Sequence, residues 1–172
     1  MRTLILGGAR SGKSRLAEKL AHESNLAVMY IATAQAHDAE MAARIEQHLA
    51  RRPAHWQSVE EPLALAAAMQ AHAAADRCLL VDCLTLWLTN LLLHDDPATF
   101  ARERAAMLDV LPGLPGQIIL VSNETGMGIV PLGELSRRYC DEAGWLHQEL
   151  AARCDNVLLS VAGLPLTLKG TK

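Results

Sequence analysis

Short runs of branched and apolar residues alternate along this chain with longer stretches in which apolar positions recur every three or four residues. The first pattern suits a strand buried on both faces of a sheet, and the second is the stripe of an amphipathic helix. Strands are predicted over residues 3–6, 27–32, 56–59, 78–82, 118–122 and 157–161, and helices over 13–23, 39–51, 62–75, 84–94, 97–111 and 134–153. Such alternation belongs to an α/β fold with a mostly parallel sheet flanked by helices. A last short strand over 164–168 follows the turn Gly163-Leu164-Pro165 and is placed to return antiparallel as a hairpin.

Punctuation agrees with this division. Pro62 and Pro97 are expected in first helical turns, with Asp96 as N-cap of the second, and the segment 111–116 (Leu-Pro-Gly-Leu-Pro-Gly) is a connection that cannot continue a helix. No repeat, low-complexity tract or linker divides the 172 residues, so 1–172 is expected to be one domain.

Half the residues are apolar, a fifth are charged, and the net charge is only −3, which argues against a nucleic-acid-coating protein. Residues 84–93 are apolar but too few to span a bilayer, and residues 3–6 are too short a run for a signal peptide; no membrane insertion is expected. Cys78, Cys83, Cys140 and Cys154 lack CxxC spacing, and reduced thiols in a cytoplasmic protein are the simplest expectation. No histidine pair has zinc-ligand spacing, so no structural zinc is expected.

Between the first strand and first helix stands Gly7-Gly8-Ala9-Arg10-Ser11-Gly12-Lys13-Ser14, a GxxxxGK[ST] phosphate loop. Its glycines let backbone N–H groups turn toward a phosphate, the helix N-terminus adds its dipole, Lys13 neutralises β and γ oxygens, and Ser14 is placed to ligate Mg²⁺. The fold class is thereby narrowed to a P-loop NTPase-like, RecA-type sheet with ATP or GTP as ligand. Such a loop needs an acidic partner at the end of a neighbouring apolar strand. Asp82, ending Cys78-Leu-Leu-Val-Asp82, is the candidate, with a helix-capping aspartate as the plainer alternative. Glu124 follows the next strand at the same edge and is placed to orient metal or substrate.

In the helix expected over 39–51, Met41, Ile45 and Leu49 share an inward face. Arg44, His48, Arg51 and Arg52 cluster within about a quarter of the circumference. Guanidinium groups hold a neighbouring histidine toward its neutral, nucleophilic form while attracting phosphate. From pattern alone, a solvated charged face carrying an incidental histidine is the stronger interpretation. His55 is expected to be structural, and His37 lies in a loop where it could touch substrate.

Taken together, these segments resemble the adenosylcobinamide kinase and adenosylcobinamide-phosphate guanylyltransferase family. The resemblance runs almost the whole chain. It is carried by the phosphate loop with Arg15, Ala17 and Glu18, by Tyr30-Ile-Ala-Thr33, by Glu40-Met-Ala-Ala-Arg-Ile45 with His48, and by Arg52-Pro-Ala-His-Trp56. Asp82-Cys-Leu-Thr-Leu-Trp-Leu-Thr-Asn-Leu-Leu92 and Ser122-Asn-Glu-Thr-Gly-Met-Gly-Ile-Val-Pro131 complete the set. The resemblance implies NTP-dependent phosphorylation of the aminopropanol hydroxyl of adenosylcobinamide, then GMP transfer from GTP to adenosylcobinamide phosphate through a guanylyl-histidine. That histidine falls on His48; Gln47 stands where some relatives carry a second one.

The resemblance further implies nucleotide contacts from the loop, from Ala32, Thr33 and Ala34, from Leu49, Ala50, Arg51 and Arg52 around the nucleophile, and from Glu60 and Asp82. Leu49 would contribute through its backbone. Mg²⁺ would accompany GTP or ATP, held by Ser14 and Asp82; Glu124, Gly126 and Gly128 would form a wall of the active site, and the chains would form a homo-oligomer, a trimer in the family. Two other functions remain open from the residues: a P-loop kinase of a different small metabolite, and a nucleotide-dependent switch.

Overall fold

The computed structural model describes residues 1–35, 43, 46 and 52–170. In chain order its elements are β1 (Arg2–Gly7), α1 (Lys13–Glu23), β2 (Ala27–Ala32), β3 (Gln57–Glu60), α2 (Leu65–His72), β4 (Arg77–Asp82), α3 (Leu84–Leu92) and α4 (Pro97–Val110). A 3₁₀ turn (Leu111–Gly113), β5 (Gln117–Asn123), α5 (Glu134–Arg153), β6 (Asn156–Val161) and β7 (Leu164–Lys169) follow. Of the helix expected over 39–51 only Ala43 and Glu46 are described, both helical; the rest lies outside the described residues.

The strands form one sheet in the order β3-β2-β4-β5-β1-β6-β7, with β1 to β6 parallel and β7 antiparallel to β6. The α/β fold expected from the alternation is therefore present. Its central strands are apolar almost throughout because both faces are covered. On one face Ile5, Tyr30, Leu80, Ile119 and Val121 pack with Ala17 and Ala21 of α1. On the other, Leu4, Ile31, Leu79, Val81 and Leu120 pack against α2 to α5, with Trp87 fully buried and its indole N–H donating to the Leu63 carbonyl at 2.8 Å.

Two local expectations need correction. Pro62 is not in a first helical turn, because the Glu61 carboxylate accepts from the amides of Leu63 (2.9 Å) and Ala64 (2.7 Å) and makes a separate turn ahead of α2. The last hairpin turns on Ala162 and Gly163, both left-handed (φ 52° and 80°), so Leu164 and Pro165 already belong to β7. Two consecutive left-handed residues suit the twist of a tight hairpin. Asp96 caps α4 as expected, accepting from Ala98 N at 3.0 Å with Pro97 at the first position.

Candidate active site at the carboxyl edge of the sheet

The phosphate loop leaves β1 at Gly7 and enters α1 at Lys13. Arg10 (φ 56°) and Gly12 (φ 93°) both adopt left-handed backbone, which curls the loop. A Cβ on Gly12 would lie 3.0 Å from the Gly163 Cα, and one on Gly7 would lie 2.4 Å from the Ser11 hydroxyl oxygen, so neither position has room for a side chain. The loop crest is braced from the far end of the chain: the Ser11 carbonyl accepts from Ser160 Oγ and from Gly163 N, each at 2.8 Å. Lys13 folds back over the loop, its Nζ donating to the Gly8 carbonyl at 3.2 Å, while Gly8, Ala9 and Arg10 are exposed.

Parallel register brings the candidate acids to the same edge. Ala32 is level with Glu60 on one side and with Asp82 on the other, and Gly7 is level with Asn123. Asp82 does not lie on the strand beside β1; β5 intervenes, which sets the two strands about 10 Å apart. The plainer capping role for Asp82 finds no support, since α3 is N-capped at Cys83 without a side-chain cap bond. Burial pushes the Cys83 thiol up to about 11, with the Asp82 carboxylate raising it further and the Lys13 ammonium opposing. Cys83 therefore feels both charges and is itself a poor nucleophile.

Beneath this edge Thr33, fully buried, ties β2 to the start of α3. Its hydroxyl donates to the Cys83 carbonyl at 2.6 Å and accepts from Cys83 N at 3.1 Å, while its own carbonyl accepts from Asn90 Nδ2 at 2.9 Å. Asn123 N donates to Thr85 Oγ1 at 2.8 Å, and the Asn123 side-chain oxygen is buried without a hydrogen-bond partner. Tyr30, 2 % exposed on β2, has the Arg52 guanidinium stacked 3.5 Å from its ring centre.

Glu124 continues from β5, donating its N–H to the Gly7 carbonyl at 3.0 Å while its carboxylate accepts from Gly126 N. Met127, Ile129, Val130 and Leu132 follow, all strongly exposed. Behind the strand, His147 of α5 pairs with Ser122 Oγ at 2.7 Å, and burial lowers the imidazole below its usual 6.5, against a smaller upward pull from Glu124.

The structure thus gathers residues 7–14, Ala32, Ala34, Glu60, Asp82 and the Glu124 loop, including Gly126 and Gly128, at one end of the sheet, with Thr33 beneath them. Arg52 joins them through Tyr30. His48, Leu49, Ala50 and Arg51, like His37, lie outside the described residues. Among the described residues no cluster of three or more histidine, cysteine or carboxylate side chains could hold a metal ion. Ser14 and Asp82 are hard oxygen donors of the kind Mg²⁺ takes, with phosphate and water oxygens completing its shell, so the donor set fits. Sequence reasoning missed Tyr30, Asn123, Ser160 and His147 as parts of the arrangement. The available signal was a polar side chain inside an otherwise apolar strand, as in Val157-Leu-Leu-Ser160.

A family model described as cobinamide kinase / cobinamide phosphate guanyltransferase matches residues 3–168. The chain is 72% identical to the bifunctional adenosylcobalamin biosynthesis protein CobP of Pseudomonas aeruginosa, over 99% of this chain and 98% of that protein. It is 42% identical to the bifunctional adenosylcobalamin biosynthesis protein CobU of Salmonella typhimurium, over 98% and 100%. Among solved structures, a Pyrococcus horikoshii protein (PH0250) superposes with a TM-score of 0.56 at 10% identity, covering 99% of this chain and 87% of that one. The RadB recombinase gives 0.51 at 15%, covering 92% and 73%. These two establish the RecA-like fold alone.

Proposed function

The chain belongs to the cobinamide kinase / cobinamide phosphate guanyltransferase family, and from that premise we propose that the loop Gly7 to Ser14 holds the nucleotide while His48 carries the guanylyl group. The protein is a bifunctional enzyme of adenosylcobalamin biosynthesis that uses nucleoside triphosphates and cobinamide substrates. The observation that carries the site assignment is that the braced phosphate loop and the trio Ala32, Glu60 and Asp82, themselves at one strand level, all lie at the carboxyl edge of the sheet.

For the kinase step, loop N–H groups and Lys13 hold the triphosphate, and the aminopropanol hydroxyl attacks the γ-phosphorus in line as the bond to the bridging β-oxygen breaks, the nucleoside diphosphate leaves and the hydroxyl proton is released. Ser14 and Asp82 would hold Mg²⁺, which would neutralise charge on the triphosphate. Glu124 and the glycines 126 and 128 form a wall of the substrate site, and Thr33 supports its floor. Ala32, Ala34 and Glu60 line the nucleotide at the strand ends.

For the second step, neutral His48 attacks the α-phosphorus of GTP, pyrophosphate leaves, and a phosphate oxygen of adenosylcobinamide phosphate displaces the histidine. Leu49 and Ala50 through their backbone, with Arg51 and Arg52, surround the phosphates. Incubation with GTP labelled at the α-phosphate tests this: acid-labile, base-stable label is expected on the chain. It should be lost in His48→Ala while ATP-dependent kinase activity survives. An unlabelled wild-type chain would defeat the guanylyl-histidine.

The exposed apolar side chains Met127, Ile129, Val130 and Leu132, with Leu164, Leu166 and Leu168 on β7, support assembly into a homo-oligomer, taken as a trimer. The four free cysteines fit a reducing cytoplasm. Among the described residues no helix is long and apolar enough to cross a membrane. Light scattering of the purified protein at micromolar concentration checks the assembly.

A further inference from the structure

One segment carried by the sequence, Tyr30-Ile-Ala-Thr33, has a role for Thr33 but none for its tyrosine. Tyr30 sits on β2, level with Ser58 of β3 and Leu80 of β4, in a cluster whose other buried members are aliphatic apart from Cys78, with Trp56 and Cys83 packed against it. A buried tyrosine brings a hydroxyl that must be satisfied, so a phenylalanine or leucine would be the simpler core residue. Here the hydroxyl meets both the Asp82 carboxylate and the Arg52 guanidinium.

The ring does something separate. Arg52 Cζ lies over the ring, 3.5 Å from its centre, and Arg52 Nε is buried without a hydrogen-bond partner. A guanidinium held by its face keeps its in-plane N–H edge available, and that edge matches the oxygens of a phosphate. An arginine held instead by carboxylates would spend those donors on the protein.

We propose that Tyr30 is a positioning residue for guanylyl transfer: its ring seats the Arg52 guanidinium beside Asp82 so that the N–H edge faces a nucleotide phosphate. This rests on the assignment of Arg52 to the nucleotide. Tyr30 itself touches no substrate.

The test compares guanylyl-transfer kcat/KM and melting temperature in Tyr30→Phe, Tyr30→Leu, Arg52→Ala, Arg52→Lys and the double variant Tyr30→Leu/Arg52→Ala. Loss of a desolvated cation–π seat predicts a fall of about 3- to 30-fold for Tyr30→Leu, mostly in KM for GTP. Tyr30→Phe, which keeps the ring, is expected to restore activity to within about twofold of wild type. The double variant should be no worse than Arg52→Ala, since the seat has no function without its occupant. Arg52→Lys lacks the planar face and should lose about as much as Tyr30→Leu. It leaves the core intact, and so keeps the question answerable if Tyr30→Leu does not fold.

If Arg52→Ala transfers guanylyl groups normally, the nucleotide assignment of Arg52 fails and this inference with it. If Arg52→Ala is impaired but Tyr30→Leu and Arg52→Lys match wild type, only the seating role fails. Equal losses in Tyr30→Phe and Tyr30→Leu, or losses that multiply in the double variant, also overturn it.

Discussion

The Ser160 hydroxyl donates to the Ser11 carbonyl at 2.8 Å, joining β6 to the crest of the phosphate loop across 149 positions of chain. The same carbonyl accepts from Gly163 N, so removing the hydroxyl leaves one of two braces. Ser160→Ala is expected to weaken GTP binding by about 2- to 10-fold, the range of one net hydrogen bond. Titration with a fluorescent GTP analogue measures it; unchanged affinity would mean that the Gly163 bond suffices.

Asp82 ends β4, which β5 separates from β1 by about 10 Å. Asp82→Asn keeps the shape and removes the charge. The kinase rate is expected to fall by about 100-fold or more, with the Mg²⁺ dependence moved to higher concentration. A magnesium titration of phosphoryl transfer checks both effects, and a normal rate at ordinary magnesium would remove Asp82 from the metal site.

Asn123 pays for its position in stability, because its buried side-chain oxygen has no partner at the strand end level with Gly7. An apolar residue of similar size relieves that desolvation. Asn123→Leu is therefore expected to raise the melting temperature while lowering kinase activity, the opposite signs that mark a polar group kept for function. Thermal unfolding beside a kinase assay decides; a lower melting temperature would assign Asn123 a structural part.

His147 has a folded-state pKa below its unfolded value of 6.5 because burial disfavours the imidazolium. Its contribution is complete above about pH 6.5, where neither state binds the proton, and is lost as pH falls from there through the lower folded value, since the unfolded chain takes up the proton first. His147→Gln can still bond Ser122 and has no such titration. The melting-temperature gap between wild type and variant is expected to shift against wild type between pH 7.5 and about pH 5.5. A constant gap would show that His147 titrates normally.

Much of this architecture was visible in the pattern of residues. Buried parallel strands such as Leu79, Leu80 and Val81 must be apolar on both faces, so their runs stand out, and Gly12-Lys13-Ser14 announces its helix N-terminus. The hidden part is tertiary. Nothing local distinguishes Ser160, bonded to the phosphate loop, from a serine that happens to fall in a strand. Strand order was equally illegible, and with it the placement of β5 between β1 and β4. Tyr30 could be quoted as part of a motif, but its partner Arg52 lies 22 positions on and meets it only through the fold. The turn made by Glu61 moved the start of α2 because a side-chain acceptor can end a helix before propensity does.

The pairing of β1 also has a consequence for synthesis. The strand that delivers the phosphate loop precedes both of its neighbours in the chain, β5 and β6, by more than a hundred residues. As the polypeptide leaves the ribosome, Arg2–Gly7 emerges well before the two strands that flank it and so is among the last to find its place. Until residues 117–161 have emerged, its row of peptide groups is an unsatisfied edge, open to the wrong partner. The ability to hold a nucleotide therefore arrives late and all at once, and a nascent chain halted before β6 would expose this motif without being able to use it.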